Sequence, residues 1–371
     1  MNEQKTSAAG RLAFIDWTRG LAAVVMIQGH TFDSFTRADL RPKGPFMLSQ
    51  FFGGLPPAIF LFLTGITFAF LMHSREKQGE TGWKRIVAAL KRSRYLFLIA
   101  FLFRLQLYVF GFPTSPAGEI LRVDILNCMG MAMLLFTPMA VFSTRERIKL
   151  CTILGFVIAG LSPVVSMIDP SGVPKLIHAY FFPSYNYFGF FPWASYLAFG
   201  MAAGSILRTV GKDGIERLML WCLVIGLGLA LTAQYFSNLP YSIYPKSEFW
   251  LNSPAQILIK LGTVLCLLSV AFLWVNYGAG NRWSFFRQLG TTSLIVYWVH
   301  IELVYGRWFG IWKEGLSVPQ VLTFTAVLLV LMTFISLGQT RFRLLGQTGY
   351  RSIWQVFKPS PVPLPRRASG D

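Results

Sequence analysis

Two of the four histidines in this chain, His30 and His300, stand inside long apolar runs, and each has ionisable company. The first closes "DWTRGLAAVVMIQGH" and is followed by Asp33; the second lies in "LGTTSLIVYWVHIELVYGRWFG" among Tyr297, Glu302 and Arg307. A neutral imidazole, with an ordinary pKa near 6.5, suits the removal of a proton from a reacting hydroxyl or amine, or the transient carrying of a group. A carboxylate could orient such a ring and stabilise its protonated form. Asp33, one helical turn from His30, and Asp124, from a separate stretch "LRVDILNCMG", both qualify, and spacing alone does not choose between them. That stretch also carries Arg122 and Asn127, and its aspartate equally fits a helix N-cap. At the other end of the first run lie Asp16 and Arg19, three residues apart, as an interfacial ion pair would have them or as the charged lip of an opening.

The elements that must position these residues are membrane helices. Of 371 residues 54% are hydrophobic and 13% charged, and apolar runs recur along the whole chain, more than one soluble core could bury. About twenty apolar residues per crossing predicts an all-α integral membrane protein of about ten transmembrane helices. They fall near 14–33, 50–72, 95–112, 124–142, 148–167, 188–207, 217–236, 256–276, 290–311 and 319–338. The runs are too long, and alternate too little, for a β-barrel. Residues 1–13 form an N-terminal segment without a signal-peptide apolar region, 14–338 a single membrane domain, and 339–371 a tail whose "KPSPVPLPRRASGD" has the composition of a disordered segment.

Lys and Arg crowd one set of connections, with Arg75, Lys77, Lys84, Arg85, Lys91, Arg92 and Arg94 in a single one, whereas the opposite set holds few. The positive-inside rule therefore predicts that both termini are cytoplasmic. The net charge of +18 is accounted for by this asymmetry and by attraction to anionic lipid headgroups. Basic residues scattered over many loops without aromatic interleaving do not make a nucleic-acid surface. Cys128, Cys151, Cys222 and Cys266 sit inside predicted spans without metal-ligand spacing, so no metal is expected.

A charge at the bilayer centre costs about 2.5–3.5 kcal/mol on insertion scales, which makes each such residue a functional candidate. On the first helix Asp16, Arg19, Ala23 and His30 share a face, roughly within a 60° sector, but Asp16 and His30 are about 21 Å apart along the axis. They cannot form one catalytic pair. On the ninth, Tyr297, His300 and Arg307 share a face while Glu302 points elsewhere. Arg104 and Lys260 are intramembrane cations without an assigned role.

The ordered set "DWTRGLAAVVMIQGH", "PAIFLFLTGITFAF", "LRVDILNCMG", "FPWASYLAFGMAAGSIL" and "LGTTSLIVYWVH" resembles the transmembrane acyltransferase superfamily, in particular bacterial relatives of heparan-α-glucosaminide N-acetyltransferase. The resemblance implies an enzyme that moves an acetyl group from cytoplasmic acetyl-CoA to a hydroxyl or amine of a sugar or glycan at the outer face of a bacterial inner membrane. Under it Arg19 and Gly20, His30, Arg122 with Asp124, and His300 occupy motif positions. The chain has no histidine between Thr31 and Met72, where the lysosomal member carries its catalytic one; His30 resembles the histidine that ends the first block of bacterial membrane O-acyltransferases. Acyl transfer would need donors for a thioester oxyanion, for which Tyr297, Asn127 or a backbone N–H are available. The phosphates of the donor would be drawn to Arg19 and a basic rim including Arg85, Arg92 and Arg94. Arg307 and Arg122 lie toward the acceptor side, and membrane lipids are the remaining expected partner. The same buried Asp, Arg and His residues also fit a transporter or flippase for a polar or lipid-linked solute. A scaffold in which both histidines only pack is a third reading.

Overall fold

The computed structural model describes residues 12–211, 214–278 and 283–356. The apolar runs are helices, the form in which a lone segment satisfies its own backbone polar groups away from water. In order they are α1 Ala13–Phe35, α2 Gly44–Gly53, α3 Pro56–Lys77, α4 Gly82–Gly111, α5 Ile125–Phe136, α6 Thr144–Ser166, α7 Lys175–Phe181, α8 Phe190–Thr209, α9 Ile215–Ser237, α10 Pro254–Leu273, α11 Phe285–Thr291, α12 Ser293–Tyr305 and α13 Val318–Val356. Among the described residues there is no strand, only an isolated parallel bridge between Thr36 and Leu316 that ties the loop after α1 to the one before α13.

Each of the ten predicted stretches is helical, but six helices among the described residues are long and apolar enough to cross a membrane. They are Gly44–Lys77, Thr144–Ser166, Phe190–Thr209, Ile215–Ser237, Pro254–Gly278 and Val318–Arg343. The shortfall has physical causes. α5 and α12 have 12 and 13 residues, about 20 Å of helix against a hydrocarbon core of about 30 Å. α1 carries Asp16, Arg19, His30 and Asp33, and α4 has a basic first half. The predicted ninth span is interrupted at Thr292 and ends as a helix at Tyr305, so Arg307 lies beyond α12 rather than on its face. α13 continues past the predicted limit of 338, and residues 357–371 of the predicted tail lie outside the described residues, as do 1–11 at the other end.

Large apolar side chains face outward from the bundle, among them Leu220, Trp221, Val224 and Leu231 on α9 and Leu322, Val330 and Phe334 on α13. Lipid is the solvent such a surface requires, and the chain is an integral membrane protein. Because lipid tails are as apolar as the side chains, helices here associate through close packing of small residues. A Cβ on Gly200 of α8 would stand 2.0 Å from the Phe62 carbonyl oxygen of α3, and one on Gly290 of α11 would stand 1.8 Å from the Asp16 oxygen of α1. Those two contacts set α3 against α8 and α1 against α11 at backbone distance.

Polar groups fasten the helix ends. The Ser143 hydroxyl accepts from the Glu146 N–H while the Ser143 N–H donates to the Glu146 carboxylate, a capping box that starts α6. The fully buried Arg147 donates to Glu76 at 2.8 Å, joining α6 to the end of α3.

Candidate active site

Residues 30 and 300 are 270 positions apart, and α1 and α12 bring them together. Ala23, Ile27, Val296, Val304, Val321 and Leu328 form an apolar cluster in which α1, α12 and α13 meet. α2 holds α1 from the opposite side: Gly29 and Gly53 pack at backbone distance, Gln50 donates to the Gly29 carbonyl at 3.2 Å, and Gln28 donates to the Ser49 hydroxyl at 2.6 Å. These contacts fix the two residues immediately before His30.

The Nδ1 of His30 lies 3.1 Å from the Nε2 of His300, and the Nδ1 of His300 lies 2.7 Å from the Val296 carbonyl oxygen. A carbonyl oxygen only accepts, so the His300 Nδ1 carries hydrogen. In a neutral ring its Nε2 is then bare and accepts from the His30 Nδ1–H. The relay leaves the His30 Nε2 as an unprotonated lone pair. The two rings are 9° from parallel with centroids 5.3 Å apart, a separation that equals the nitrogen contact plus the two ring radii. They therefore lie edge to edge in nearly one plane, as an in-line hydrogen bond requires. Tyr305 stands edge-on to His30, with centroids 5.3 Å apart.

His30 lines a cavity of about 660 Å³, while His300 is fully buried behind it. The wall also includes Tyr297, Glu302, Tyr305 and Arg307 from the α12 region, Arg104 from α4, Glu119, Arg122 and Asp124 before α5, and Pro56, Pro57 and Phe60 at the start of α3. Asp124 is the N-cap of α5: its Oδ1 accepts from the Leu126 and Asn127 N–H groups at 3.0 Å each. Its Oδ2 lies 3.1 Å from the Arg104 Nε, an ion pair without hydrogen-bond alignment. Asp33 accepts from the Tyr305 hydroxyl at 3.0 Å. Neither carboxylate is hydrogen-bonded to the His30 ring; the group that is belongs to His300.

The other predicted residues divide between two places. Tyr297, Arg122 and Arg307 reach the cavity, and among the described residues the Tyr297 hydroxyl makes no hydrogen bond. Asn127 is turned away, donating to the Tyr180 hydroxyl at 3.3 Å. Asp16 and Arg19 form the i,i+3 ion pair at 3.4 Å, and Arg19 lines a second cavity of about 430 Å³ with Gly290–Ile295, Trp298, Val299, Gln339 and Arg343. α12 thus contributes to both cavities.

Several members of the site were not singled out from sequence. Arg104 had no role there and is the cation facing Asp124 and Glu119. Glu302 does line the cavity, because the cavity wraps the end of α12; its carboxylate accepts from Gln106 and Trp308, each at 2.9 Å, and among the described residues it forms no ion pair. A glutamate in an apolar helix was the available signal. Lys313, donating to the Tyr305 carbonyl at 2.8 Å, sits at the rim, where partial burial lowers its ammonium below the ordinary value. Among the described residues no group of three or more His, Cys, Asp or Glu is placed to hold a metal ion, and the four cysteines are free thiols.

A search of curated proteins gives no match for this chain. The model of the family described as "Heparan-alpha-glucosaminide N-acetyltransferase, catalytic" matches residues 11–239, which include His30, Arg104 and Asp124 and stop short of His300. With well over half its length matched, the chain belongs to the heparan-alpha-glucosaminide N-acetyltransferase catalytic family of membrane acyltransferases.

Proposed function

We propose that the protein transfers an acetyl group from acetyl-CoA to a hydroxyl or amine of a sugar or glycan, with His30 as the general base. The observation that carries this reading is the relay from His30 through His300 to the Val296 carbonyl, which leaves the Nε2 unprotonated on a histidine that lines a cavity large enough for a sugar. In the proposed step the His30 Nε2 takes the acceptor proton as the acceptor oxygen or nitrogen attacks the thioester carbonyl. The carbon–sulfur bond then breaks, and the departing thiolate receives that proton. Charge that His30 gains is shared along the relay with His300. The unpartnered Tyr297 hydroxyl is the donor we assign to the developing oxyanion.

The acceptor occupies the 660 Å³ cavity in this reading, and the donor enters by the cavity lined by Arg19 and Arg343, cations suited to its phosphates. The distribution of basic loops supports ten crossings with both termini cytoplasmic in a bacterial inner membrane. The testing experiment follows radiolabelled acetyl from acetyl-CoA into a panel of amino and neutral sugars with protein reconstituted in vesicles. Wild type is expected to label at least one sugar, and His30→Ala to lower kcat by about 10²–10⁴ with acetyl-CoA still bound. Sugar uptake without any acetyl donor, and no label transferred, would replace the enzyme with a transporter.

A further inference from the structure

We infer that a groove between α3 and α4, separate from both cavities of the proposed reaction, holds an anionic phospholipid. The groove has a volume of about 600 Å³ and shares no residue with either cavity. Its lining carries Arg75 with Glu80 and, from α4, Lys84, Lys91 and Arg92, the last three at spacing i, i+7, i+8 and so on one face of the helix. Lys84, Lys91 and Arg92 are all exposed, and among the described residues none of them has an ion pair or hydrogen bond. Arg92 lies only over the Tyr95 ring, 5.5 Å from its centroid. The groove's remaining cation, Arg75, is neutralised by Glu80 of the same lining at 2.6 Å, and the neighbouring Arg85 donates to the Val141 carbonyl.

The depth of the groove identifies the source of the negative charge. α4 has 30 residues, about 45 Å of helix, some 15 Å more than a hydrocarbon core. On the ten-span reading proposed above α4 crosses the membrane, and because the basic residues crowd its first half the overhang lies there, with the three cations at the headgroup layer. Trp83, 70% exposed, and Tyr95 stand beside them, amphipathic rings of the kind that settle at that depth. The groove's apolar lining is Leu71, Val87 and Ala88, the last two between Lys84 and Lys91 along α4. An occupant must therefore join a phosphate to an apolar limb. A phosphodiester with acyl chains satisfies both, whereas a free phosphate or a nucleotide would leave the apolar lining wet.

The test is native mass spectrometry of the full-length protein in detergent, titrated with phosphatidylglycerol or with phosphatidylcholine of the same chains. Phosphatidylglycerol is expected to bind more tightly. Each cation removed should cost about fivefold in its affinity, and Lys84→Gln, Lys91→Gln and Arg92→Gln together on the order of a hundredfold. The charge-keeping set Lys84→Arg, Lys91→Arg, Arg92→Lys should restore binding, and Lys91→Gln alone serves if the neutral triple does not fold. Removing Arg145, Lys149 and Arg217 should leave binding unchanged. Equal affinity for the two headgroups, an equal loss with the distant triple, or displacement of the lipid by millimolar inorganic phosphate or coenzyme A would overturn the inference.

Discussion

A histidine that donates one nitrogen to a second histidine has its other nitrogen chosen for it, and this choice separates the roles of the two rings. His300→Ala removes the acceptor of the His30 Nδ1–H and is expected to lower kcat on the order of tenfold to a hundredfold, with the KM for acetyl-CoA nearly unchanged. His300→Gln, whose amide oxygen can accept the same hydrogen, should lose less; identical losses for Ala and Gln would sink the relay. Tyr297→Phe deletes only a hydroxyl, and a fall in kcat of about 10²–10³ is the expected size for one oxyanion donor. No change in kcat would remove Tyr297 from the reaction. At this scale the sequence disclosed which residues are unusual better than which touch. His30 and His300 stood out because ionisable groups in apolar runs are costly, but nothing in their spacing told that the partner of one is the other. Asp33 was one turn away and plausible, yet its carboxylate serves Tyr305, a pairing set by where α12 ends.

Between elements, the close crossings make the strongest claims. Gly200→Val would drive a branched side chain into the α3 backbone, and overpacking of that kind costs about 1–3 kcal/mol or more where backbone is the obstacle. Gly228 on α9 has open space where its Cβ would be, so Gly228→Ala should be neutral or stabilising by up to about 1 kcal/mol. Thermal unfolding in detergent measures both, and equal midpoints for the two variants would refute the packing argument. Helix positions were legible from apolar runs because length and composition carry them. The division of Gly44–Lys77 into α2 and α3 was not, although "FFGGLPP" holds the glycines and prolines that make it. Neither were the short lengths of α5 and α12, since a run can be apolar because it is buried in protein as readily as because it crosses lipid.

For the molecule as a whole, the orientation expected from basic loops makes a direct prediction. Ser171 and Gln78 are exposed in different connections, after α6 and after α3. Ser171→Cys should react with a membrane-impermeant maleimide added outside intact cells, and Gln78→Cys only after the membrane is opened. The reverse pattern would invert the topology and with it the sides assigned to donor and acceptor.

α12 turns Tyr297, Ile301 and Tyr305 toward one cavity and Leu294, Ile295, Trp298 and Val299 toward the other. A substitution on either face meets one chamber and leaves the lining of the second intact. With acceptor and donor in the two cavities as proposed, acceptor preference would drift through Ile301 or Tyr305 while the chemistry of the donor chamber is inherited unchanged. On that assignment the same short helix would offer a protein engineer two specificities on separate dials.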